Sequence, residues 1–191
     1  LKQKPGIVQQ GSGGKMAGEI LSAPALARTG GEIASMNERQ RIVEIVVAPG
    51  GPASRRPEVE SDRRVAIQDL LEDNSFSPIG LVPGPYRLEM KLDGARLLLD
   101  VQSQAGAPLG EMVLPLAPLR AIMRDYFMIC DSYYDAVKNR PAQIEAIDMG
   151  RRAVHNEASE LLRDKLATQV DMDLETARRL FTLLCVMKLN G

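Results

Sequence analysis

A single histidine, His155, stands in the stretch AIDMGRRAVHNEASELL (146–162), which also supplies Asp148, the doublet Arg151-Arg152, Asn156 and Glu157. The chemistry open to these residue types is narrow. A guanidinium grips a carboxylate or phosphate through two parallel hydrogen bonds, and an imidazole can shuttle a proton near neutral pH. Together they could hold an anionic small molecule, with Asp148 or Glu157 orienting the basic groups. On a helix turning about 100° per residue, Ile144, Ile147, Val154, Ala158, Leu161 and Leu162 form one apolar stripe. Arg151 falls inside that stripe, His155 lies near its middle, and Asp148 and Ser159 sit at its edge. An ionised group carried into an apolar interior is costly unless it is paired. Two arrangements meet that demand. Either Asp148, Arg151, His155 and a tyrosine of the preceding helix, Tyr133 or Tyr134, close into a core network, or the stripe reaches a cleft where Arg151 and Arg152 bind an anion.

Other chemistry-bearing patterns are weaker. Arginine doublets recur at 55–56, 63–64, 151–152 and 178–179, a pattern that could contact phosphates. Acidic residues accompany them, as in EVESDRR and DLETARR, so ion pairs on solvated helices account for them equally well. Asp131 and Asp135 share a helix side without a histidine near enough to make a metal site. GSGG at 11–14 has no strand before it and no Lys-Ser/Thr after it, so it is no phosphate loop. The hydrolase elbow and the dinucleotide fingerprint are absent. No catalytic residue, metal or cofactor is assigned.

The elements that must position these residues follow from periodicity. RIVEIVV (41–47) is a β-branched run, apolar on both sides, and reads as a largely covered strand. APGGPASRRP (48–57) is a turn-rich loop. A helix follows over about 58–74, with Val59, Ala66, Ile67, Leu70 and Leu71 inward and Asn74 and Ser75 at its end. SPIGLVPGPY reads as a loop. In YRLEMKLDGARLLLDV, Asp93-Gly94 is a favoured two-residue hairpin turn. Folding there pairs Leu92 with Ala95, Met90 with Leu97, Leu88 with Leu99 and Tyr86 with Val101, and sets Arg87 opposite Asp100. A further strand is expected at 109–114. From 118 to 138 one broad stripe runs through Leu119, Ile122, Met123, Tyr126, Phe127, Cys130, Tyr133, Tyr134 and Val137. Pro141 suits the first turn of the next helix, which could run to Ala167. Asp173 can cap a last helix ending near Leu189. Strands first and helices after is a segregated α+β order: a small antiparallel sheet with a central Asp-Gly hairpin, packed against about four α-helices that dominate the C-terminal half.

Length and composition set the class. The 191 residues suffice for one ordinary domain plus a tail, and 45% hydrophobic with 26% charged residues is ordinary for a globular protein. A formal net charge of −1 gives no field that would favour nucleic acid or an anionic membrane, and no apolar run is long enough to span one. Two lone cysteines, Cys130 and Cys185, read as small buried hydrophobes of a cytoplasmic protein. Residues 1–35 are rich in Gly, Ala and Ser without a sustained period. Their apolar patch ILSAPALA is broken by Pro24, and Glu19 and Glu32 argue against a transit peptide. They read as a disordered or non-native extension, with one domain over 36–191 opening at Met36.

Over DYFMICDSYYDAVKNRPAQIEAIDMGRRAVHNEASELLRDKL and TARRLFTLLCVMKLNG the chain resembles bacterial uncharacterised protein family 0262, and RIVEIVV, AIQDLLEDNSF and GPYRLEM fit the same pattern. The resemblance spans about 36–191 and implies a small cytoplasmic bacterial protein. It transfers no ligand or catalytic residue, and Ala158 stands where a glycine is expected. With no recognisable reaction chemistry, the leading expectation is a non-enzymatic interaction or regulatory module, self-associating or bound to a protein partner. The alternatives are an enzyme or binder for an anionic small molecule using Arg151, Arg152 and His155, and RNA or ribosome contact through the arginine doublets.

Overall fold

The computed structural model describes residues 40–48 and 57–189. The expected extension 1–35, the Arg55-Arg56 doublet and nearly all of the loop after the first strand lie outside them. Within the described residues the order is β1 (Ile42–Val47), α1 (Pro57–Glu72), β2 (Phe76–Pro78), β3 (Tyr86–Asp93), β4 (Arg96–Ser103) and β5 (Pro108–Pro115). A 3-10 turn (Ala117–Leu119) then leads into α2 (Arg120–Asn139), and a second (Pro141–Gln143) into α3 (Ile144–Leu166). The order closes with β6 (Val170–Met172) and α4 (Leu174–Leu189). This is the α+β architecture expected, with helices dominating the C-terminal half.

The main sheet has the order β1-β3-β4-β5. It is mixed rather than antiparallel, because β1 runs parallel to β3. That corrects the reading of RIVEIVV as well: β1 is an edge strand, with Ile42 fully buried and Val46 48% exposed. The hairpin forms, but two residues out of the expected register. Leu92 faces Leu97, Met90 faces Leu99, Leu88 faces Val101 and Tyr86 faces Ser103. Gly94 takes φ +56° as the first residue of the turn, so Asp93 stays in the strand and ion-pairs with Arg96. A primed turn with glycine in its first central position needs nothing special of the preceding aspartate, and leucine meets leucine instead of alanine. A shift of two keeps every side chain on its face, so the buried face is the expected one. On the other face Arg87 pairs with Glu44 (2.6 Å) rather than Asp100, while Asp100 takes Lys91 (2.8 Å).

Amide side chains satisfy backbone on both edge strands. Asn74, just past α1, accepts from Ile42 N–H at 2.7 Å and donates to Ile42 C=O at 2.9 Å. Gln169 does the same for Val113 on β5, at 3.1 and 3.3 Å. Both amides stand in for a neighbouring strand and blunt edges that would otherwise recruit one. The short β2–β6 pair, whose first strand runs into the expected loop SPIGLVPGPY and whose second was given no element from sequence, sets where α4 begins. There Asp173 caps the helix through Thr176 N–H (2.7 Å), and the buried Thr176 hydroxyl accepts from Ser75 N–H at 2.9 Å. From Leu180 to Met187 every residue of α4 but Thr182 is apolar and buried, as suits a central core helix. It packs against α1 and α3, and α3 against α2.

Candidate functional site

Capping by Asp173 fixes the phase of α4. With Leu180, Phe181 and Leu184 inward, Arg178 and Thr182 lie one turn apart toward α3. On α3 the same logic, with Ala158 and Leu162 fully buried, turns Arg151 and His155 toward α4. The two helices and α1 thereby enclose an open cleft of about 340 Å³. Its basic wall is Arg151, Arg152, Arg178 and Arg179. Its acidic residues are Asp62, Asp69 and Glu175, and Val65, Ala66, Tyr126, His155 and Thr182 complete the lining.

Each guanidinium has an identifiable hold. Arg151 donates to Asp148 Oδ1 through Nε (3.1 Å) and Nη2 (2.7 Å), and it lies over the Tyr133 ring, 5.2 Å from the centroid. Arg152 reaches the other oxygen of Asp148 at 3.0 Å. The hydrogen bonds from Arg151, foremost, hold the Asp148 carboxyl below the usual range. Arg178 pairs with Glu175 at 3.0 Å, and Arg179 donates to the Asp73 carbonyl at 2.9 Å. Arg151 and Arg179 are thus fixed parts of the wall, one stacked and one tied to backbone. Among the described residues Arg152 and Arg178 are held by helix-neighbour ion pairs, which contribute little at this exposure. Those two can be redirected at little cost.

His155 is not a member of the Asp148 network. Its ring packs against Tyr126 and Phe181, each 5.3 Å away between centroids, and its Nε2 lies 2.9 Å from Thr182 Oγ1. Thr182 spends its only proton on the Arg178 carbonyl (3.1 Å), so the hydrogen-bond pattern assigns the proton of the contact to His155 Nε2. Burial, with Arg178 and Arg151 adding repulsion, lowers the imidazole to about 4. At neutral pH it is an uncharged donor–acceptor, not a proton shuttle.

Of the residues singled out from sequence, Asp148, Arg151, Arg152, His155 and Tyr133 come together here. Tyr134 is one cavity over, donating to Asp62 Oδ2 (3.3 Å), its hydroxyl pushed up to about 12 by burial and then by Asp62. Glu157 is exposed and away from the cleft. Asn156 is partly covered on α3, its Oδ1 buried without a hydrogen-bond partner among the described residues. Sequence reasoning did not place Tyr126, Thr182 or Asp62 in the site, and left Arg178-Arg179 open between phosphate contact and ion pairs on a solvated helix. The recurrence of the doublet was the available signal, but only the packing of α3 on α4 puts 151–152 and 178–179 across one gap.

The neighbouring cavity, about 520 Å³, shares Asp62, Tyr126 and Thr182 with the cleft and is lined by both cysteines. Burial raises the Cys130 thiol and, more strongly, that of Cys185, so both are protonated and poor nucleophiles. Among the described residues no helix is long and apolar enough to cross a membrane.

Fold and site together define a small α+β protein with an arginine-walled cleft set in its helical layer. The chain belongs to the uncharacterised protein family UPF0262, whose model matches residues 39–190. It is 50% identical over 157 residues to a UPF0262 protein of Paramagnetospirillum magneticum, which covers 82% of this chain and 100% of that protein. A UPF0262 protein of Allorhizobium ampelinum is 52% identical over 136 residues, 71% of this chain and 87% of its own. One from Sphingopyxis alaskensis is 47% identical over 157 residues, 80% of this chain and 95% of its own. No solved structure matches.

Proposed function

We propose that this protein is a non-catalytic binding module of the bacterial cytoplasm whose ligand is a small anion bearing phosphate or carboxylate groups. The observation that supports this is the meeting of four arginines from two helices around one concave cleft, above a neutral histidine. Arg152 and Arg178 are the gripping residues, since each can exchange a weak ion pair for charge-assisted hydrogen bonds to a ligand. Arg151 and Arg179 hold the wall in shape. Binding rather than turnover is favoured by His155, because a general base needs a pKa near the working pH and this imidazole lies at about 4. The two free thiols support the cytoplasmic assignment.

The test is calorimetric titration of the full chain with inorganic pyrophosphate and, separately, with succinate, at low ionic strength. Saturable binding is expected for pyrophosphate, with succinate testing whether carboxylates are gripped as well. Arg152→Ala and Arg178→Ala should each weaken it about ten-fold, the loss of one charge-assisted hydrogen bond at about 1.5 kcal/mol, with thermal stability nearly unchanged. Absence of saturable heat at millimolar ligand, or variants that bind like the parent, would overturn the reading.

A further inference from the structure

The arginine cleft and the cavity beside it are two ends of one groove. Glu175, Arg178, Thr182, Val186 and Leu189 of α4 follow one another at steps of three and four residues, so they share one face of the helix. The first three line the cleft and the last three line the cavity, with Thr182 common to both. α1 runs the opposite way along the same groove: Asp69 and Asp62 border the cleft, Asp62 and Val59 the cavity. The α4 floor from Glu175 to Leu189 is about 21 Å long at a rise of about 1.5 Å per residue. Its character changes along that length. The arginines stand at one end, and at the other the floor is Cys185 and Val186, both buried, with Val59 and Phe127 beside them. The charges at the apolar end lie on the α2 rim, where Asp131 and Lys138 are exposed and Asp135 is held by Asn139 and Arg140.

Granted the anion-binding reading of the cleft, on which this rests, we propose that the groove holds a single-chain amphiphilic anion. Its phosphate or carboxylate head lies among the arginines and its unbranched apolar tail lies over Cys185 and Val186. Arg178, Thr182 and Val186 succeed one another at one-turn intervals, so a head on Arg178 puts Val186 about 12 Å along the tail. Small-molecule sites are mostly apolar hollows of about 300–1,000 Å³ with a few polar groups that fix orientation. The cleft, at about 340 Å³, stands at the lower edge of that range and suits a head group. The cavity, at about 520 Å³, supplies the apolar part. The two walls meet where the Tyr134 hydroxyl donates to Asp62 Oδ2 at 3.3 Å, a long, exposed hydrogen bond that an entering tail can part.

The experiment is calorimetric titration of the full chain with pyrophosphate, with ethyl, butyl and hexyl phosphate, and with hexylamine. From ethyl to hexyl phosphate the dissociation constant should fall about four-fold for each methylene buried, and hexylamine should not bind. Cys130→Trp, which fills the cavity end, should abolish the dependence on tail length and leave pyrophosphate binding as in the parent. That retained binding also shows that the variant is folded, and the parent series decides the matter without it. Pyrophosphate binding together with alkyl phosphates of equal affinity would remove the tail site and leave the anion reading standing. Silence from every phosphate would remove both. Hexylamine binding as tightly as hexyl phosphate, or a tail-length dependence that survives Cys130→Trp, would likewise overturn the proposal.

Discussion

His155 illustrates how a residue type misleads until its surroundings are known. A lone histidine beside arginines invites a proton-transfer role, yet between two aromatic rings, with its Nε2–H committed to Thr182, it is a structural donor. The consequence for stability has a definite sign. Its folded pKa of about 4 lies below the unfolded value of about 6.5, so the unfolded chain binds more protons between those limits. Its contribution is full above pH 6.5 and is lost as pH falls toward 4, by up to about 3 kcal/mol. Urea denaturation at pH 7, 6 and 5 should show that fall, and His155→Gln should flatten it. A parent protein equally stable at pH 5 and 7 would remove the buried neutral imidazole. Thr182→Val should cost about 1–3 kcal/mol by leaving the imidazole N–H unsatisfied, measured in the same denaturation. Sequence showed that Asp148, Arg151 and His155 lie on one side of a helix, because helical phase is a local property. It also offered Asp148, three residues before Arg151, as that arginine's partner, but could not show that Thr182, 27 residues after His155, takes the histidine.

At the scale of elements, α2 and α3 approach closely at Gly150, while alanine fills position 158, where a glycine was expected. Ala158 is fully buried and fits as it stands. At Gly150 an added Cβ would come within 2.9 Å of Ile129 Cδ1. Two effects oppose each other for Gly150→Ala: alanine gains about 1 kcal/mol of helix propensity, while the Ile129 methyl must move aside. That methyl is the end of a flexible side chain, so near-neutrality is expected, within about 0.5 kcal/mol. Gly150→Leu cannot be accommodated so locally and should cost about 2 kcal/mol. Thermal unfolding of the two variants separates the effects, and a large loss with alanine would mean the helices are locked more tightly than a methyl can shift. The same scale marks the limit of legibility for the fold. The long helices and the hairpin are written in periods of 3.6 and 2, and they appear nearly where expected. The hairpin register, the parallel pairing of β1 and the three-residue strands β2 and β6 are not, because each depends on partners distant in sequence.

For the whole molecule, a net charge near zero hides a patterned surface. Acidic residues stand among the arginines of the cleft, so the basic wall does not show in composition. On the proposed reading the ligand is a compact anion rather than an extended polyanion, since Asp62, Asp69 and Glu175 interrupt any continuous basic track. Because the chain has one histidine, its imidazole is an unassigned-free reporter at the floor of the cleft. The most direct test is the long-range ¹H–¹⁵N spectrum of the full chain, recorded across pH 4–8 and then at pH 7 during a pyrophosphate titration. The account predicts an Nε2–H tautomer that stays neutral down to about pH 4. It also predicts imidazole shifts that move and saturate with pyrophosphate, and that stay still when Arg152→Ala and Arg178→Ala are combined. An imidazole that titrates near 6.5 and ignores the anion would contradict both the buried donor and the cleft as a binding site.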